Sequence, residues 1–195
     1  MSQNIEIEFK NLLSEQEFNR LLDHFHVDSA NFFKQENHYF DTDDFSLKQL
    51  GCALRIREKR EGFEMTLKQP HPEGILETNE KINHKSAQSL LSGAPLQGGV
   101  VKEQLTQMNI NTDQLHYFGS LVTERTEFDY MDGLLVLDSS IYLNVQDYEV
   151  EYEVTNREKG EAVFLNLLSE LNIPLRKVKN KVKRFYERQK ALDLE

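Results

Sequence analysis

The chain has 195 residues, with 23 Lys plus Arg against 33 Asp plus Glu, for a net charge of −10. That balance excludes the broad basic footprint of a duplex nucleic-acid binder. The length suits a single domain, 1–195, whose core needs neither disulfides nor a structural metal.

Cys52 is the one cysteine, so no intramolecular disulfide is available and a thiolate zinc site would need other ligands. The opening MSQNIEIEFK carries acids at positions 6 and 8 and has no apolar signal-peptide core. No fully apolar stretch is longer than Leu134 to Leu137, far short of a membrane span. A soluble cytoplasmic protein without a membrane partner is expected. Twelve Phe and seven Tyr argue for an ordered core.

Residues 5–10 alternate strictly, with Ile5, Ile7 and Phe9 against Glu6, Glu8 and Lys10, which predicts a half-buried strand. Ser14 and Glu17 have the spacing of a capping box, followed by Phe18, Leu21, Leu22 and Phe25 at helical intervals. A strand over 31–42 and a short helical turn over 44–51 follow. Residues 53–60 alternate again, with Leu54 and Ile56 opposed to Arg55, Arg57 and Lys59. Glu61-Gly62 signals a hairpin to a return strand at 63–69, and a Pro-rich loop leads to a strand at 75–81. Residues 84–109 predict interrupted helix. Strands are expected at 117–129, 134–138 and 146–154, a helix at 158–171, and a final helix around the basic run 176–184. About eight strands and four helical segments, mostly joined by hairpins, predict an α+β antiparallel sheet or barrel with helices outside it. The loose symmetry of the order suggests two similar halves.

Charge is segregated by strand. Glu6 and Glu8 share the first strand; Arg55, Arg57 and Lys59 share another; Lys68 lies on its hairpin partner. Glu149, Glu151 and Glu153 recur at every second residue and so face one way. On a solvated face, like charges about 6.7 Å apart repel by only about 0.6 kcal/mol. Inside a closed sheet, at an effective dielectric near 20, the repulsion grows to about 2.5 kcal/mol per adjacent pair. Inward rows of both signs would therefore require a hard cation for the carboxylates and a polyanion for the guanidinium groups. A metal-bound polyphosphate meets both demands.

Glu6-x-Glu8-x-Lys10 resembles the ExExK signature of the CYTH superfamily, which holds class IV adenylyl cyclases, thiamine triphosphatases and related triphosphate tunnel metalloenzymes. The resemblance continues in order through Tyr39-Phe40-Asp41-Thr42, Ala53-Leu54-Arg55-Ile56-Arg57 and Thr66-Leu67-Lys68. It extends to Arg125, Asp138, Glu151-x-Glu153, Lys181 and Arg184. It implies an eight-stranded antiparallel barrel, closed or nearly closed, with a polar tunnel and helices outside. It also implies Mg²⁺ or Mn²⁺ and a triphosphate-bearing small molecule.

By that resemblance Glu6, Glu8, Glu151 and Glu153 are metal ligands, with Glu149 or Asp138 as additions. Lys10, Arg55, Arg57, Lys68, Arg125, Lys181 and Arg184 form a phosphate cradle, with Lys10, Arg57 and Lys68 acting on the reacting group. Glu77 falls near a further acidic position of the family, with Asn79 and Glu80 leaving its register open. Among EVEYE, three glutamates compete for two family positions.

Other reactive residues carry weaker signals. His24 and His26 do not share a helical face, His38, His71, His84 and His116 are scattered, and Cys52 is expected to be a small buried hydrophobe. Tyr39 and Asp41 suit either ligand contact or packing and turn formation. Gly98-Gly99 lacks the Gly-Lys-Ser/Thr of a phosphate-binding loop. The expected activity is metal-dependent hydrolysis of inorganic triphosphate or a small organic triphosphate such as thiamine triphosphate. The alternatives are class IV adenylyl cyclase activity and a non-catalytic polyphosphate or nucleotide sensor. Monomer and homodimer are both compatible with the sequence.

Overall fold

The computed structural model describes residues 2–59 and 62–192. Eight antiparallel strands close into a barrel, β1 (Ser2–Leu13), β2 (Phe33–Thr42), β3 (Ala53–Lys59), β4 (Gly62–His71), β5 (Gly74–Ile82), β6 (Leu115–Tyr130), β7 (Gly133–Tyr142) and β8 (Val145–Val154). Their order around the barrel is β1-β5-β4-β3-β2-β6-β7-β8. The α-helices are α1 (Glu15–His24), α2 (Ser46–Gln49), α3 (His84–Leu91), α4 (Gly99–Gln107), α5 (Arg157–Glu170) and α6 (Lys181–Leu192). Lys59 pairs with Gly62 across the predicted hairpin; Arg60 and Glu61 lie outside the described residues.

The helix count is six rather than four. The break at Gly93–Gly99 splits one predicted helical region in two, and α2 is a single turn. The basic run is also not one helix. Residues 173–180 are irregular, and α6 starts only where the Asn180 side chain accepts from Lys183 N at 2.9 Å.

Contacts divide the chain into two compact units. The first holds the N-terminal edge of β1 and Glu36–Leu121. In it, Leu54 and Ile56 of β3 and Phe63, Met65 and Leu67 of β4 pack against Ala87, Val101 and Leu105 of α3 and α4. Glu80 of β5 points to the same side and accepts from Val101 N at the start of α4, 3.1 Å away. Gly99 lets the helix begin there, because a Cβ would run into that carboxylate.

The second unit holds Glu6–Gln35 and the chain from Val122 onward. Here Leu13, Leu135, Leu137, Val150 and Tyr152 pack on Phe18 and Leu21 of α1 and on Phe164, Leu167 and Leu168 of α5. The predicted capping box is present at Ser14 and Glu17. Each fully buried aliphatic side chain contributes about 1.5–3 kcal/mol. Apolar residues of every second position are thus committed to the helices. The side-chain period of two then turns the intervening, charged positions toward the barrel interior.

Candidate functional site

In the first unit the inward positions form three rungs across β2, β3, β4 and β5. Asn37, Arg57, Glu64 and Lys81 stand in register; so do Tyr39, Arg55, Thr66 and Asn79; Ala53, Lys68 and Glu77 form the third. The Arg57 Nε donates to Asn37 Oδ1 at 2.7 Å. Lys68 pairs with Glu77 at 2.7 Å, which resolves the open register: Glu77 faces inward, while Glu80 caps α4. Arg55 Nε is buried and has no hydrogen-bond partner among the described residues. An orphaned donor of this kind costs about 1–3 kcal/mol and calls for an acceptor.

In the second unit the rungs run from β1 through β8 and β7 to β6. Glu8 stands beside Glu153, Lys10 beside Glu151, and Leu12, Glu149, Asp138 and Arg125 share one register. Lys10 is ion-paired with Glu8. Arg125 grips Asp138 with two parallel bonds of 2.7 and 2.6 Å and reaches Glu151 at 2.9 Å. The Lys181 ammonium lies among Asp138 at 2.7 Å, Glu149 at 2.9 Å and Glu151 at 2.5 Å. Arg184 pairs with Glu149 at 2.7 Å and with Asp147 at 2.9 Å.

Burial works against the charge on Lys181, but Asp138, Glu151 and Glu149 outweigh it and hold its pKa well above the ordinary lysine value. Burial likewise opposes ionisation of Glu151, yet Lys181 and Arg125 keep that carboxyl well below its usual range. Burial pushes Glu149 up to about 7 against the pull of Lys181. Glu153 also rises to about 7, through burial and then the negative charges of Glu6 and Glu151, with Glu8 adding to them. Glu153 is therefore the acid of this set with the least cationic compensation.

Among the described residues, no three or more His, Cys, Asp or Glu side chains are arranged to hold a metal ion as they stand. The tightest convergence of carboxylates, Asp138 with Glu149 and Glu151, is filled by the Lys181 ammonium, which stands in for a cation. The donors are all carboxylate oxygens, and Glu6, Glu8 and Glu153 crowd negative charge that a cation would relieve. That chemistry fits a hard divalent ion.

The remaining candidates have structural roles. Asp41 is fully buried and accepts from Thr42 N, Leu47 N and Lys48 N, so it organises the turn into α2. Tyr39 stacks on Phe118, with ring centroids 6.1 Å apart. Cys52 is buried, and burial raises its thiol to about 11, as suits an inert hydrophobe. His26 occupies the left-handed region after α1, at φ 53°.

Sequence reasoning missed Asn11, Asn37, Asp147 and Arg176. Asn11 is fully buried on the helix side of β1; it donates to Pro174 O at 3.1 Å and accepts from Arg176 N at 2.6 Å. Arg176 also makes two bonds to Glu17, at 2.8 and 2.9 Å. These contacts fasten the segment that leads to Lys181. A buried Asn on an apolar face, opposite Lys10, was the available signal.

The CYTH domain family matches residues 4–186, and the chain belongs to that family. Over 190 residues it is 46% identical to YjbK of Bacillus subtilis strain 168, provisionally named a triphosphatase, covering 97% of this chain and 98% of that protein. A Bacillus halodurans structure, provisionally called an adenylate cyclase, is 43% identical, with a TM-score of 0.91 over 95% of this chain and all (100%) of that one. HpAC1 from Hippeastrum, provisionally called an adenylyl cyclase and described as having dominant triphosphatase activity, is 22% identical. Its TM-score is 0.78 over 94% of this chain and 96% of its own, a likeness of fold. No helix is long and apolar enough to cross a membrane among the described residues.

Proposed function

We propose that this chain, as a single domain in the cytoplasm, hydrolyses a triphosphate-bearing small molecule with the help of Mg²⁺ or Mn²⁺. Inorganic triphosphate and a small organic triphosphate such as thiamine triphosphate are the substrates in view. The observation that carries the reading is that two buried guanidinium donors, Arg55 Nε and Arg184 Nη2, have no hydrogen-bond partner among the described residues. Both belong to the basic set the family resemblance assigns to phosphate, and phosphate oxygens are the acceptors guanidinium donors suit best. The provisional name of YjbK points the same way.

In this reading Lys10, Arg55, Arg57, Lys68, Arg125, Lys181 and Arg184 hold the phosphates, and Lys10, Arg57 and Lys68 act on the phosphoryl group that is transferred. Phosphoryl transfer needs mainly positioning and charge stabilisation, and no Ser, Cys or His nucleophile is required. Asn37 accepts from Arg57 Nε and so steers it, and Glu77 pairs with Lys68. Glu6, Glu8, Glu151 and Glu153, with Asp138 and Glu149, would hold the metal. A bound divalent ion supplies Lewis-acid neutralisation of phosphate charge and acidifies water. Water cleaves a phosphoanhydride bond, and phosphate or pyrophosphate leaves with the charge that the basic side chains absorb.

Phosphate release from tripolyphosphate, thiamine triphosphate and ATP with Mg²⁺ or Mn²⁺ tests the proposal. Turnover of one of them is expected, falling about a hundredfold or more in Arg57→Ala while the fold is retained. Absence of turnover at micromolar enzyme would reject it. The name given to the Bacillus halodurans relative motivates one further measurement. Cyclic AMP formed from ATP would replace hydrolysis with cyclisation, and tight binding without any product would indicate a sensor.

A further inference from the structure

The turn of the β7–β8 hairpin and the strand after it meet α6 in polar contacts centred on Arg184. The hairpin turns through Leu143 and Asn144, both in the left-handed region at φ 44° and 60°, with Tyr142 paired to Val145. Tyr142 is buried; its ring lies 5.9 Å from that of Phe185 in α6. Its hydroxyl donates to Asp147 Oδ2. The same oxygen accepts from Arg184 Nε at 2.9 Å. Arg184 Nη1 donates to Lys179 O at 2.6 Å and forms an ion pair with Glu149 Oε2 at 2.7 Å. Arg188 Nε adds a contact from α6 to Leu143 O at 3.3 Å.

A guanidinium group is planar and offers five N–H donors in a fixed fork. Holding Nε from one side and Nη1 from two others fixes the plane of the group and its rotation. What remains is Nη2, which is buried and has no hydrogen-bond partner among the described residues. The arrangement leaves one edge of a rigid cation free. A side chain meant only to neutralise Glu149 would not need its other donors clamped, nor would it leave a buried one unused.

We propose that Asp147, backed by Tyr142, is a positioning residue that aims Arg184 Nη2 at a phosphate oxygen of the bound ligand. The inference rests on the triphosphate reading of the site. Asp147 does not touch the ligand; it acts through Arg184. Tyr142 acts through Asp147, because its donated hydrogen bond keeps the carboxylate turned toward Nε. Burial raises the Tyr142 hydroxyl to about 12, with the Asp147 carboxylate adding to the rise, so the hydroxyl remains a donor throughout the neutral range.

The test is calorimetric binding of diimidotriphosphate, a non-hydrolysable triphosphate, in the presence of Mn²⁺, using the full chain. Tripolyphosphate turnover is measured alongside. Arg184→Ala is expected to raise Kd about tenfold and Asp147→Ala about fivefold, as for loss of a charge-assisted hydrogen bond and of its alignment. Asp147→Asn keeps an acceptor of the same shape and is expected to restore Kd to within about twofold of the parent. The double variant D147A/R184A should bind no more weakly than R184A, because the two residues act as one unit.

Parental binding by D147A, or multiplication of the two effects to about fiftyfold in the double variant, would overturn the positioning role. If D147A does not fold, Tyr142→Phe serves in its place: its weakening of about two- to threefold must vanish in the R184A background, and persistence there overturns the proposal. A parent protein that neither binds the analogue nor turns over any triphosphate would remove the proposed function itself. A parent that binds while R184A binds equally well removes only this inference.

Discussion

The two units use one device, a strand with its apolar face on helices and its charged face inward, but balance their charges differently. In the first unit Arg57 Nε donates to Asn37 and Lys68 pairs with Glu77, while Arg55 Nε is buried without a hydrogen-bond partner among the described residues. In the second, acids and bases interlock, with Arg125 and Lys181 each bridging several carboxylates. Each unit keeps one buried guanidinium donor without a partner among the described residues, Arg55 Nε in the first and Arg184 Nη2 in the second. The second differs in that its cations are shared among several buried carboxylates, with Lys181 at the centre. A buried network is more sensitive to loss of one partner than to replacement as a whole.

The contrast can be broken at Lys181. Lys181→Met keeps the length of the side chain but strips the shared cation from three buried carboxylates. A loss of about 3–5 kcal/mol is expected in urea denaturation at pH 8 with chelator present. A loss below about 1 kcal/mol would mean that the network is not the tightly coupled unit its geometry indicates.

Glu153 sharpens the comparison through pH. Its folded pKa, about 7, lies above the unfolded carboxylate value. Between the two values the folded state binds the extra proton, so metal-free stability falls as pH rises from about 4.5 through 7. Glu153→Gln should remove that decline and stabilise the metal-free protein above pH 7 by about 1–2 kcal/mol, a figure reduced for partial solvent screening. Below about pH 4.5 the variant and parent should coincide. Thermal melts across that range in chelator provide the measurement, and parallel stability curves would remove Glu153 as the strained acid.

Smaller effects calibrate the two helical layers. Ser14→Ala removes the N-cap of α1 and Asn83→Ala that of α3, and each should cost about 1 kcal/mol in denaturant unfolding. The smallest change is expected at Arg55. Arg55→Met discards a buried donor that has no partner, so stability should stay within about 1 kcal/mol of the parent or rise. A large loss there would show that the first unit too is an interlocked network.

Much of the fold was legible in the sequence, for a physical reason. Alternation at Ile5–Lys10, at Leu54–Lys59 and at Glu149–Glu153 has a period of two, which fixes both the element and the face. The six-helix count and the irregular stretch before α6 were harder, because one Gly/Pro-rich break can interrupt a helix or end it. The charged rows were visible as well, but their pairing was not. Lys68 with Glu77 depends on the β4–β5 register, and Lys181 reaches Glu149 and Glu151 across 32 and 30 residues. No local pattern encodes such separations. Asp147 was hidden for a different reason: beside three alternating glutamates it reads as one more surface acid, and only the partner on α6 gives it a task.

The clasp at Asn11 sets a timetable for biosynthesis. Its partner Pro174 lies 163 residues downstream. At ribosomal rates of about 5–20 residues per second, the first strand waits on the order of ten seconds or more before that clasp can close. Over that interval the buried Asn11 side chain lacks both of its downstream partners, Pro174 and Arg176. Slow or paused translation of the downstream segment should therefore prolong the lifetime of an incompletely assembled, aggregation-prone chain, and chaperone demand should track the time to reach Arg176 more closely than the stability of the finished protein.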